Sequence, residues 1–158
     1  MDATWNQLII LLNVALAGAL GGVIGVEREL RGKPAGFRTH MVVAAAAALL
    51  MALAPELVDY FADHGEAQSI RSDPIRVIEA IITGISFLGA GTILVHRGRR
   101  RVEGLTTAAS LLLVAAIGIS TALHRYVLAV GITALLLLVL VVLGFVEKWL
   151  ARRHEATS

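Results

Sequence analysis

The stretch Pro74 to Val95, PIRVIEAIITGISFLGAGTILV, is a 22-residue apolar run with two ionisable side chains inside it. At roughly 1.5 Å per residue, a helix of this length crosses a hydrocarbon core of about 30 Å. Its start is well marked, because Asp73-Pro74 places an N-cap acceptor before a proline at the first helical position. With Glu79 as origin, Thr83, Ser86 and Ala90 follow on one helical face, and Arg76 lies a turn earlier. A polar, small-residue stripe on a spanning helix is expected to face protein or a wet cavity rather than lipid. A chain built around such a helix therefore needs other helices beside it.

Composition points the same way. Of the 158 residues 57% are hydrophobic and 16% charged, with a mean hydropathy of +0.78. Helices apolar all round belong in a membrane or a large core, and this chain is too short for the latter. The expected fold class is an all-α integral membrane protein, a compact bundle of five transmembrane helices. The absence of cysteine excludes disulfides, thiol nucleophiles and thiolate metal sites. A net charge of +2 and a pI near 9.5 would by themselves suit a nucleic-acid partner. The basic residues flank apolar runs without interleaved aromatics, however, so the expected partner is the lipid bilayer and no nucleic acid. The N-terminus, MDATWNQ, lacks the positive region of a signal peptide, so the first apolar run is expected to stay in the protein.

The expected spans are about 7–26, 39–58, 74–95, 105–123 and 126–146, one transmembrane domain over 1–150 with a short cytoplasmic tail at 151–158. In the first span Gly18 with Gly22, and Gly21 with Gly25, form overlapping small-xxx-small pairs suited to close helix packing, inside the chain or between copies. The second run, Met41 to Ala54, is short before Pro55 and is expected to gain length on both sides. Four Lys/Arg lie in the loop 27–40, four at 97–101 and three at 147–158, so eleven of the fourteen fall on one side if the N-terminus is outside. The connection 56–73 is acidic and is expected to face outward. A weak internal echo pairs Gly-Phe-Arg-Thr at 36–39 with Gly-Leu-Thr-Thr at 104–107, as a parallel repeat or by chance.

Three stretches carry a resemblance: GGVIGVERELRGKPAGFRTH at 21–40, DPIRVIEAIITGISFLGAGTI at 73–93 and VEGLTTAASLLLVAAIG at 102–118. In this order they resemble the MgtC/SapB family of bacterial membrane proteins, through the first four spans. Ala80 stands where the family has glutamine, Ser86 where it has glycine, and Leu112 where tryptophan is common. Longer members add a cytoplasmic C-terminal domain, and this chain resembles the short form without it. The resemblance implies a multi-pass bacterial inner-membrane protein linked to magnesium homeostasis, to growth in low magnesium and, in pathogens, to survival in host cells. It also implies action by modulating other membrane machinery, the ATP synthase included.

The residues suggest no enzyme, no cofactor and no metal site, since the five histidines are scattered singly. Two constellations stand out. The first is the stripe of Arg76, Glu79, Thr83 and Ser86, with Asp73, Gly89 and Gly91 as further functional or packing candidates in the same segment. Glu79 there is either an ion or proton step or half of an internal pair with Arg76 that orders the bundle. The second would gather Glu27, Arg28, Arg38, Thr39 and His40 near Thr106 and Thr107, as an anion or partner site or as the polar end of the bundle. Two functional classes follow. One is a non-enzymatic modulator docking on another membrane protein, or on a second copy, through glycine and small-residue faces. The other is a small magnesium, potassium or proton transporter or channel using the Glu79 stripe.

Overall fold

The computed structural model describes residues 3–63, 74–96 and 101–155. It contains five helices, α1 (Ala3–Leu30), α2 (Phe37–Asp63), α3 (Pro74–Ala90), α4 (Leu105–Ala122) and α5 (Tyr126–Glu155). Between α3 and α4 lies a short antiparallel ribbon, β1 (Leu94–His96) on β2 (Arg101–Glu103). α1, α2, α4 and α5 are long and apolar enough to cross a bilayer. These helices make it a multi-pass membrane protein.

The ribbon is a small addition to the expected all-helical bundle, and it shortens the third helix. α3 ends at Ala90, not Val95, and its 17 residues rise about 25 Å. Local chemistry explains the stop. The Thr92 hydroxyl donates to the Gly89 carbonyl at 2.7 Å, and the Thr92 amide takes the same carbonyl at 2.9 Å, tightening the last turn. The β-branched and apolar run that follows, Thr92-Ile93-Leu94-Val95, suits extended backbone better than helix. Gly104, at φ 95°, then turns the chain into α4, and its Cα lies so close to the Thr92 carbonyl that a side chain has no room.

The second run gains the length expected of it, because α2 continues through Pro55 to Asp63. α1 closes with Gly32 at φ 62°. The Gly32 amide bonds to the Glu29 carbonyl and the Lys33 amide to the Arg28 carbonyl, at 2.9 and 3.0 Å, the paired bonds of a Schellman stop. α4 stops in the same way with His124, a non-glycine residue at φ 58°, whose amide and that of Arg125 return to Thr121 and Ser120.

Packing is tightest where side chains are smallest. α4 sits centrally and packs on all four other helices. The core is dominated by Ala17, Ala44, Ala47, Ala48, Ala115 and Ala129 around Ile24, Leu111, Val114 and Ile117. Leucine, valine and phenylalanine crowd the exterior instead, with Leu11, Val42, Val127, Leu135 and Phe145 all exposed. Small inside and large outside is the pattern of helices that pack by close approach and leave their apolar bulk to lipid. On α5, Ala129, Thr133, Leu136, Leu140 and Gly144 make one buried face, spaced by threes and fours.

The glycines of α1 all lie against α2. A Cβ at Gly21 would sit 2.5 Å from the His40 carbonyl oxygen, and one at Gly25 2.6 Å from the Phe37 Cα. Gly22 meets the Phe37 ring and Met41, and Gly18 meets Ala45. Across the bundle, Gly118 of α4 is pressed against the Ala44 carbonyl and the Ala47 methyl. α2 is thus clamped between glycines of two helices. The repeat echo has a structural counterpart: Gly21 faces His40 and Gly89 faces Ala108, nineteen residues on in both hairpins. Gly118→Ala is expected to cost about 2 kcal/mol, since overpacking of this kind costs roughly 1–3. Gly131, with nothing within 4 Å of a built Cβ, should tolerate alanine. Thermal midpoints of the two variants in one detergent check the contrast.

Candidate functional site

The last turn of α1 and the first turns of α2 and α4 meet at one end of the bundle and bring polar groups inside it. Glu27 and Arg28 are 9% and 3% exposed. Arg28 Nε donates to Glu27 Oε2 at 2.8 Å, and Arg31 Nε pairs with Glu27 Oε1 across the i, i+4 spacing. Arg31 then reaches α5, where its Nη2 donates to the Val141 carbonyl at 3.4 Å and its guanidinium lies over Gly144. One carboxylate therefore anchors two guanidiniums, and one of those ties α1 to α5. Glu29 accepts from the Phe37 amide at 2.8 Å, supplying an acceptor at the free N-terminus of α2.

His40 is fully buried. Its Nδ1 lies 2.9 Å from the Gly36 carbonyl and its Nε2 lies 3.0 Å from Ser110 Oγ on α4. A carbonyl only accepts, so the ring proton belongs on Nδ1. Nε2 of the neutral ring is then an acceptor, and the single Ser110 proton serves either it or the Thr107 carbonyl at 2.8 Å. His40 is thereby a polar pin between α2 and α4. Thr107 is buried beside it, at 1% exposure, and its Oγ1 has no hydrogen-bond partner.

The cluster expected around Arg28 and His40 is assembled in part. Glu27, Arg28, His40 and Thr107 are buried at this end, Thr39 is half-buried, and Arg38 and Thr106 are exposed. Ser110 and Arg31 join the set. Ser110 follows Thr107 by one helical turn and so shares its face, which is the signal that places it here. At the opposite end, the buried Asn13 lies 3.3 Å from His124 Nε2 and accepts from the Tyr126 hydroxyl at 2.9 Å. Asn6 donates to Glu56 at 3.0 Å. Nothing in the spacing of these residues announces that they meet.

The α3 stripe departs from expectation. Arg76, Glu79, Thr83 and Ser86 are all exposed on the outer face of α3, as is Ala90. The inner face is Ile81 and Gly89, supported by Val77, Ile78 and Ile85. The inner face is the one that lets α3 approach α4 closely, with Gly89 against Ala108, and in lipid such close packing decides which face turns inward. The internal Arg76–Glu79 pair does not form either: among the described residues both ion pairs are on Glu27. The Thr83 hydroxyl turns back to the Glu79 carbonyl at 2.7 Å. Gly91 lies in the turn after α3, and Asp73 lies outside the described residues. No group of three His, Asp or Glu side chains comes together to hold a metal among the described residues.

His40→Ala is expected to remove about 2–4 kcal/mol, as a core truncation that also unpairs Ser110. Ser110→Ala should cost less. A double-mutant cycle read by thermal unfolding should return a coupling of about 1 kcal/mol between the two.

Comparison with known proteins places this arrangement among bacterial membrane proteins. Residues 14–149 match the sequence model of the MgtC family. An uncharacterized protein of Haemophilus influenzae Rd is 37% identical over 95% of this chain and 62% of its own length. YhiD of Escherichia coli K12, provisionally named a magnesium transporter, is 38% identical over 82% of this chain and 58% of its own. Protein SapB of Bacillus subtilis 168 is 35% identical over 91% of this chain and 59% of its own. The chain thus spans about three-fifths of these relatives' length. No solved structure matches it.

Proposed function

The chain belongs to the MgtC family, and from that premise we propose that it serves magnesium homeostasis in the bacterial inner membrane as a non-enzymatic modulator. In this reading it docks laterally on another membrane protein. The N-terminus lies outside, α3 completes five crossings, and the basic loops and C-terminus are cytoplasmic. The link to magnesium is supported by the name of the Escherichia coli relative.

One observation carries the docking: the outer face of α3 presents Arg76, Glu79, Thr83 and Ser86, all of them exposed among the described residues. Ionised side chains inside a membrane are costly when they meet hydrocarbon, so such a face calls for a partner or water. The glycines of α1 are engaged by α2 and offer no such surface. Beside the stripe, an open groove of about 690 Å³ runs between α2 and α3, past Ala46, Ala54, Ala80 and Gly84. Gly84 has nothing within 4 Å of a built Cβ, so a visiting helix can approach closely there. A conduction pathway along the stripe would need a second wall that one chain does not supply, which favours the modulator over the transporter.

A photo-crosslinking residue at Thr83, in bacterial membranes under low magnesium, is expected to yield a discrete protein adduct. The same residue at Val127, which is 90% exposed on α5, should yield lipid adducts alone. Glu79→Leu should reduce the Thr83 adduct several-fold. Lipid adducts alone from both positions, together with Glu79-dependent magnesium flux from the pure protein in liposomes, would overturn the reading.

A further inference from the structure

A second feature, independent of the α3 face, is a cleft of about 480 Å³ at the basic end of the bundle, between the end of α1, the start of α4 and the flank of α5. Arg28, Arg31, Lys33 and Thr106 line its polar part, and Val139 and Leu143 line the side towards α5. Of the three cations in this lining, Arg28 and Arg31 share one carboxylate, Glu27, so the cleft carries an excess of positive charge. Arg28 is the informative residue. It is 97% buried by its 3% exposure, one nitrogen is held by Glu27, and Nη1 has no hydrogen-bond partner. Thr107 Oγ1, one residue from Thr106 in the chain, is likewise buried and unpartnered. A buried guanidinium nitrogen left without an acceptor is costly, and the groups that match a guanidinium in charge and geometry are carboxylate and phosphate.

We propose that this cleft binds a phosphate group, held by Arg28, Arg31 and Lys33 with Thr106 at its edge. The excess positive charge suits an anion, and the basic loops place the cleft near headgroup level at the end of the spans. The cleft is half polar, and its apolar side continues into exposed residues, Leu143 and Val139 being 56% and 39% exposed. That continuity gives the acyl chains of a phospholipid a path out along α5. The ligand chemistry is a phosphate whose negative charge is not offset by a cation of its own, whether it arrives on an anionic lipid headgroup or free in solution.

Full-length protein in a neutral detergent would be titrated with phosphatidylglycerol, phosphatidylcholine and inorganic phosphate, reading thermal midpoint and, by native mass spectrometry, the number bound. The expected result is saturable stabilisation with one phosphatidylglycerol bound, and none from phosphatidylcholine at equal concentration. Arg28→Gln and Lys33→Gln should each weaken binding about ten-fold, as loss of one charge-assisted contact predicts. Lys33 is exposed on a loop, so its variant tests the site even if Arg28→Gln fails to fold. Arg76→Gln, on α3, should bind like the unaltered chain. Stabilisation by inorganic phosphate that is equally sensitive to Lys33→Gln would assign the site to free phosphate. Binding of both lipids alike, or binding untouched by either cleft variant, would overturn the proposal.

Discussion

The close approach of three backbones underlies this structure. Gly21 and Gly25 of α1 and Gly118 of α4 press against the backbone of α2 at His40, Phe37 and Ala44. In lipid no hydrophobic driving force separates one apolar helix face from another, so association rests on van der Waals contact and interhelical hydrogen bonds. Glycine permits both by removing the atom that would hold the helices apart. The alanine-rich core follows from this, since only small side chains fit where axes lie so near.

Once the three helices are this close, the polar groups sort themselves. His40 and Ser110 lie between α2 and α4, where they satisfy one another and the backbone. Glu27 lies at the end of α1, where two arginines neutralise it. α3 is outside this clamp and packs on α4 with aliphatic residues, so its charged stripe is left facing outward. The division gives the molecule two distinct polar regions. One is internal, built and largely satisfied. The other is peripheral and exposed among the described residues. The internal region holds the bundle together, and the peripheral region is where docking on another membrane protein is proposed.

Much of the architecture was legible in residue order. The apolar runs and the continuation of α2 past Pro55 follow from length and propensity. So does the Glu27–Arg31 pair, because its four-residue spacing acts within one helix. What escaped reading depends on contacts between helices. The outward turn of the α3 stripe reflects a competition between its two faces, and the winner is set by what α4 offers. The early end of α3 was masked because Thr92 to Val95 reads equally well as apolar helix or strand. The meeting of Asn13, His124 and Tyr126 joins residues more than a hundred positions apart. The family motifs at 21–40 and 102–118 did point to the end where the buried polar cluster forms, though Arg38 within them faces out.

The central claim is that the glycine face of α1 is engaged inside the chain and not between copies. The chain has no cysteine, so introduced pairs report without background. A Cβ built at Gly18 would lie 3.7 Å from that of Ala45, within the range a disulfide spans. The measurement is oxidative cross-linking of Gly18→Cys with Ala45→Cys in native membranes, beside Gly18→Cys alone. An internal bridge in monomeric protein from the double variant, with no covalent dimer from the single one, is the predicted result. Covalent dimers from Gly18→Cys alone would place that face between copies and contradict the account.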